Sequence, residues 1–201
     1  MMAAVSRLVV TVLARFGAAV GFCQTYALPV RWNRGPESRW WERLRRRAST
    51  LLGAVIDRRA GPRPIADGEY AGRFDGSLAE AERLLYDEGF VRNPLSRLKT
   101  RGGQAERGSW AYRESPLARR QLHVMLFPDG AGVDVYAHEE PSSVNPVASG
   151  AHLNGTTQHV ANGVERARDR LPLETTGAPV DPPEGPWDSR ATGSTSLGGS
   201  V

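Results

Sequence analysis

Residues 121–140, QLHVMLFPDGAGVDVYAHEE, alternate apolar and polar side chains on either side of an Asp129-Gly130 pair. This alternation predicts two β-strands, and Asp-Gly is a favoured pair for a two-residue hairpin turn. With that turn, His123 opposes Tyr136 and lies diagonal to His138. One face of the predicted hairpin is apolar. The other face bears Gln121, His123, Met125, Phe127, Asp134, Tyr136 and His138.

The flanking sequence supplies further strands and two helices. GEYAGRF (68–74) and GSWAYRE (108–114) also alternate, which favours a small antiparallel sheet of three to four strands. Ser77 is followed three residues later by Glu80, a capping box that predicts a helix beginning there and ending at Gly89. A second helix is expected to begin near Asn162. The predicted fold class is therefore α+β, with helices flanking the sheet.

Three fragments share one pattern, a polar residue followed by proline: NPLS at Asn93, SPLA at Ser115 and NPVA at Asn145. Asn and Ser side chains accept hydrogen bonds from the free amides at a helix start, and proline suits the next position. We expect all three to begin short helical turns, and not to form a repeated recognition element.

The charge of the chain is divided unevenly. Residues 1–63 contain 12 arginines against Glu37, Glu42 and Asp57, a net charge of +9, so residues 64–201 carry −5 within a total of +4. This division argues against a uniformly basic nucleic-acid-binding domain, because an anionic partner would meet the N-terminal third and not the body.

Residues 36–59, PESRWWERLRRRASTLLGAVIDRR, have the spacing of a basic amphipathic helix. The candidate partner-binding side chains are Trp40, Trp41, Arg43, Arg46 and Arg47. The apolar side of such a helix packs on its own domain, lies on an anionic membrane surface or occupies a groove of a protein partner. Nucleic-acid binding is a further alternative, in which the two tryptophans stack on bases.

The ends of the chain are predicted to lie outside the folded domain. Residues 1–35 are apolar, but Arg15 interrupts them, and an arginine inside a membrane span costs roughly 2.5 to 3.5 kcal/mol. We expect neither a good span nor a signal peptide there. Residues 36–63 form the basic helix and a hinge, residues 64–171 the core domain, and residues 172–201, rich in Pro, Gly, Ser and Thr, a disordered tail.

Three stretches carry a resemblance: IADGEYAGRFDGSLAEAERLLYDEGFVRNPLSRLKTR, GSWAYRESPLARRQLHVMLF and VDVYAHEEPSSVNP. The chain is also almost without lysine, since Lys99 is its only lysine. The chain in this respect resembles uncharacterised haloarchaeal proteins, a group without an assigned activity. The resemblance implies a cytoplasmic, salt-adapted setting and no mechanism. The chain departs from the group's strongly acidic character, because its body is mildly acidic and its N-terminal third is basic.

Three functions follow as hypotheses. The first is a non-enzymatic binding domain, held at an anionic surface or partner by the basic helix, in the cytoplasm or at the membrane periphery. The second is a metal-dependent hydrolase or phosphoesterase with His123, Asp134 and His138 as both metal ligands and catalytic groups, and Tyr136 nearby. The third is nucleic-acid binding. The sequence indicates no particular cofactor or substrate.

Overall fold

A computed structural model of the protein describes residues 62–93, 96–130, 132–154 and 157–176, with residues 12, 15, 16, 18–27, 43, 44, 46 and 47 nearer the N-terminus. Residues 18–22 are α-helical and run into a π-helical turn, Cys23–Ala27. The described positions among residues 43–47 are also helical. Trp40, Trp41, most of the predicted basic helix and residues 177–201 lie outside the described residues.

The described residues form two β-sheets. The strands are β1 (Arg63–Pro64), β2 (Tyr70–Phe74), β3 (Val91–Arg92), β4 (Lys99–Arg101), β5 (Gln104–Ala105), β6 (Gly108–Tyr112), β7 (Arg120–Asp129) and β8 (Gly132–Pro141). The main sheet is antiparallel throughout and has the order β2-β8-β7-β6-β3. The small sheet has the order β1-β4-β5, with β1 parallel to β4. The α+β prediction is confirmed, and the main sheet is larger than predicted.

The hairpin has the predicted faces and a different register. His123 pairs directly with His138, and Met125 with Tyr136, because Asp129 pairs with Gly132 and is part of the ladder, not of the predicted Asp129-Gly130 turn. Arg73 explains the shift. Its guanidinium donates to the Asp129 carboxylate at 3.2 Å and to the Asp129 carbonyl at 2.6 Å, which holds this residue in the ladder.

Among the described residues of 62–176, three α-helices are present: α1 (Leu78–Asp87), α2 (Ser149–Asn154) and α3 (Val160–Arg170). The predicted capping box of α1 is confirmed, since the Glu80 amide donates to Ser77 Oγ and the Ser77 amide donates to the Glu80 carboxylate. The predicted cap at Asn145 is also confirmed, because its side-chain oxygen accepts from the two amides before α2. Helix α3 begins slightly earlier than predicted.

The two faces of the main sheet have different cores. On the apolar face, α1 and α3 pack against the alternate apolar side chains of β6, β7 and β8, and the buried set includes Ala81, Leu85, Trp110, Leu122, Val124, Val135, Ala137, Val164 and Ala167. Helix α3 approaches β8 closely at Gly163. A Cβ atom at this position would lie only 2.2 Å from the His138 backbone. This packing fixes the strand segment that bears His138.

The polar face of the sheet is also buried, under the small sheet and its connections. Ile65 packs on Met125, Phe127 and Tyr136. Arg101 of β4 donates to the Asp134 carboxylate at 2.8 Å. The predicted face of histidines and polar residues is therefore an interior layer of the protein.

Ordered structure continues past the predicted end of the core domain at residue 171. Leu173 packs against the apolar core, and Glu174 exchanges two backbone hydrogen bonds with Arg73, at 2.8 and 2.9 Å. The first residues of the predicted disordered tail thus extend the edge of the main sheet.

Candidate metal centre

His123 and His138 face each other across β7 and β8 on the buried polar face. Their rings are nearly perpendicular, with centroids 4.9 Å apart, and both side chains are buried. Glu140 lies two residues beyond His138, so the pleat of β8 places its carboxylate on the same face. Adjacent strands therefore bring two imidazoles and one carboxylate together.

The ligand atoms of these three residues form a triangle in which they all lie within 4.8 Å of one another. His123 Nδ1 lies 3.3 Å from His138 Nε2 and 3.4 Å from Glu140 Oε1, while His138 Nε2 lies 3.2 Å from Glu140 Oε2. Ligands about 2.0–2.1 Å from a tetrahedral zinc ion lie about 3.3–3.4 Å from one another. Among the described residues, this group has the spacing needed to hold a metal ion.

A chain of hydrogen bonds fixes the tautomer of His123. The Ser96 hydroxyl donates to the Asn93 carbonyl at 3.0 Å, so Ser96 Oγ accepts from the Ser109 hydroxyl at 2.7 Å. Ser109 Oγ must then accept from His123 Nε2–H, also at 2.7 Å. The proton of neutral His123 is therefore on Nε2, and the lone pair of Nδ1 points toward the triangle.

His138 is oriented by a carboxylate. Its Nδ1–H donates to Glu69 Oε1 at 2.5 Å, which directs Nε2 toward Glu140. Glu69 ends a 3-10 helix, Asp67–Glu69, and also accepts from the Ala66 amide at 2.8 Å. Histidine ligands of metal ions commonly donate their second ring N–H to such a group. Gln121 supports the remaining ligand by donating to Glu140 Oε1 at 2.7 Å.

The buried cluster contains opposite charges. Burial lowers the pKa of His123 well below its ordinary value, so this imidazole is neutral. Burial also acts to lower the pKa of His138, but hydrogen bonds and charges from Glu140 and Glu69 outweigh it and raise the pKa to about 9. Burial acts to raise the pKa of Glu140, yet His152, His123 and His138 hold it well below its usual range. At neutral pH and without a metal, His138 is an imidazolium between two carboxylates.

A small, partly open cavity adjoins the triangle. Its volume of about 20 Å³ is enough for one water molecule. The lining residues are Arg63, Ser96, Arg97, Lys99, His123, Glu140, His152 and Gln158. His152 is close to the cluster as well, with Nδ1 3.3 Å from Glu140 Oε1.

The structure separates one predicted site residue from the others. His123 and His138 lie together, whereas Asp134 pairs with Phe127 and its carboxylate forms ion pairs with Arg73 and Arg101. Tyr136 packs beside Asp134 with its ring under Arg101. Glu140 takes the position expected of Asp134.

Sequence reasoning missed Glu140, Glu69 and His152 as members of this cluster. The alternation of β8 was a sufficient signal for Glu140, which shares a face with His138. The other two residues come from a 3-10 helix and from α2, and no local pattern connects them to the hairpin.

No protein-family model, curated protein or solved structure matches the chain. In the described part of the chain, no helix has the length and apolar character that a membrane crossing requires.

Proposed function

We propose that the protein binds one divalent transition-metal ion, of the zinc class, through His123 Nδ1, His138 Nε2 and the Glu140 carboxylate. The observation that carries the proposal is the convergence of two imidazoles and one carboxylate, with the two ring nitrogens 3.3 Å apart and each of them 3.2–3.4 Å from an oxygen of Glu140. Two imidazoles and one carboxylate are a donor set that zinc accepts readily. The support of each ligand by a buried hydrogen-bond partner agrees with this role.

The same cluster has a simpler interpretation, in which a proton on His138 Nε2 takes the place of the metal. Such a buried imidazolium, held by Glu69 and Glu140, is consistent with the raised pKa of about 9. The two states are related, because a metal ion must displace that proton before His138 can act as a ligand. Metal binding at neutral pH should therefore release a proton, which a purely structural cluster would not do.

The test is a calorimetric titration of the full chain, freed of metal by a chelator, with Zn²⁺. We expect one ion per chain, and a binding enthalpy that changes with the ionisation enthalpy of the buffer. His123→Ala and His138→Ala should each abolish tight binding. His159→Ala is the matched control, because the side chain of His159 is 51% exposed and lies outside the triangle. Absence of binding to the folded wild-type chain, or equal binding by all three variants, would refute the proposal.

A second candidate function, docking on an anionic membrane surface, is favoured by the N-terminal helical residues. Val12, Phe16 and Val20 are 56%, 68% and 45% exposed and recur every four residues, which places them on one side of a helix. Ala18 and Thr25 of the same segment are buried. The segment therefore has an inner side and an outward apolar stripe.

Arg15, in the same helical segment as the stripe, is exposed. In the described part of the predicted basic helix, Arg43 and Arg47 are exposed too, and Leu44 is 51% exposed. Exposed apolar and arginine side chains on helices suit the boundary of an anionic bilayer. Nucleic-acid binding stays a prediction from sequence, because the two tryptophans that it would use lie outside the described residues.

A further inference from the structure

The cavity beside the candidate metal centre borders two of its three proposed ligands. His123 and Glu140 are part of its lining. Its volume of about 20 Å³ holds one water-sized group, since such a group needs about 10–15 Å³. Three protein ligands with one position left to a small molecule are the arrangement of catalytic zinc sites, whereas structural zinc sites are closed by four protein ligands.

The charge of the cavity lining is basic. Arg63, Arg97 and Lys99 contribute three cationic side chains, against the carboxylate of Glu140. Lys99 Nζ also lies 3.6 Å from Glu69 Oε1, so this lysine forms an ion pair with the carboxylate that orients His138. A divalent ion would make the region more positive still. A cavity of this charge attracts an anion.

Arg63 lines the cavity and is itself exposed, so it belongs to the solvent-facing part of the lining. Guanidinium groups bind the oxygens of phosphate and carboxylate through paired, charge-assisted hydrogen bonds. One oxygen of a tetrahedral oxyanion fits the water-sized space, and the others then face the opening. We infer that the cavity is the open coordination position of the metal and that it takes a small oxyanion of the phosphate class.

This inference rests on the proposed function, and one preparation tests both. The full chain is loaded with Co²⁺, which replaces zinc and gives a visible absorption spectrum that reports its ligands. Inorganic phosphate is then added. We expect the spectrum to change, and the phosphorus NMR line of phosphate to broaden more than it does with the Zn²⁺-loaded protein.

Two arginine variants give the test its specificity. Arg63→Ala should weaken phosphate binding about tenfold or more, since a charge-assisted pair is lost. Arg107→Ala is the control, because Arg107 is also exposed and does not line the cavity. Both variants should retain Co²⁺.

The outcomes separate the two claims. If Co²⁺ is bound but phosphate changes neither the spectrum nor the NMR line, the inference fails and the metal site stands. Equal phosphate affinity in Arg63→Ala and the wild type also overturns the inference that the cavity takes an oxyanion. If the chain does not retain Co²⁺, the proposed function fails and the inference fails with it.

Discussion

Glu69 is the residue that orients His138, and its role is measurable apart from that of the ligands. Because its carboxylate accepts from His138 Nδ1–H, Glu69→Gln keeps the shape of the side chain and removes the charge. We expect zinc affinity to fall about 10–100-fold, the usual cost of losing such a support, while one ion still binds per chain. Competition with a chromophoric chelator measures this change.

The control for Glu69→Gln is Glu165→Gln, an equally conservative change at an exposed position of α3. It should leave zinc affinity unchanged. Unchanged affinity in Glu69→Gln as well would mean that the hydrogen bond to His138 is structural and has no influence on a metal.

The pH dependence of the metal-free protein follows from His138. Its pKa rises from 6.5 to about 9 on folding, so the folded state binds the proton more tightly than the unfolded chain. This stabilisation is fully present below about pH 6.5 and is lost as the pH rises through about 9. The pKa shift corresponds to a contribution on the order of 3 kcal/mol to the free energy of unfolding.

Denaturant unfolding with a chelator present, at about pH 7 and about pH 10, measures this loss. We expect the wild-type chain to be less stable at the higher pH, and the difference to shrink in His138→Gln, which cannot hold the proton. A wild-type stability that is equal at both values, or a difference that persists in the variant, would assign the effect to other groups.

At the scale of elements, the β7–β8 hairpin separates what can be predicted from local sequence, the faces of its strands, from what cannot, their register. Alternation correctly predicts the faces of β7 and β8, because side-chain direction depends only on the pleat. The register depends on the turn, and Arg73 of β2 fixes that turn through Asp129, a contact between residues far apart in sequence. The capping box of α1 was predictable for the opposite reason, since all its contacts are local.

The residues of the candidate site also fall into two groups, those that local sequence places together and those that only the sheet topology brings in. His123 and His138 share one predicted face, and the sequence suffices to bring them near each other. Glu69 reaches His138 only because β2 pairs with β8, so its place in the cluster depends on sheet topology that no short pattern encodes.

The packing of α3 on β8 leads to a prediction for Gly163. Gly163→Ala places a Cβ atom 2.2 Å from the Cα and C atoms of His138, and backbone cannot yield as a side chain can. We expect a loss of about 1–3 kcal/mol of stability, measured by denaturant unfolding, as for other overpacked contacts. Metal affinity should fall too, because the displaced backbone bears a ligand.

Gly150 provides the matched control. It also lies in a helix, α2, but a Cβ atom there meets nothing within 4 Å. Gly150→Ala should leave stability unchanged or raise it by up to about 1 kcal/mol, because alanine restricts the unfolded chain. If the two variants behave alike, the close approach of α3 to β8 is not a constraint on the fold.

At the scale of the whole molecule, the two proposed functions use different parts of the chain. The candidate metal centre lies in the acidic body, beneath the small sheet, whereas the apolar stripe of Val12, Phe16 and Val20 belongs to the basic N-terminal third. The residues that each function needs do not overlap. A variant of either part should therefore leave the other function intact.

Sedimentation with lipid vesicles tests whether this stripe binds a membrane surface. The full chain should bind vesicles containing phosphatidylglycerol, bind neutral vesicles less, and lose affinity as salt is added, because salt screens the arginines. Phe16→Asp should weaken binding about tenfold or more, since burial of a phenylalanine contributes about 1.5–3 kcal/mol. Leu117→Asp is the control: Leu117 is 62% exposed but lies on the folded body. Equal binding by both variants would exclude the stripe, whereas intact zinc affinity in Phe16→Asp would establish that the two functions are independent.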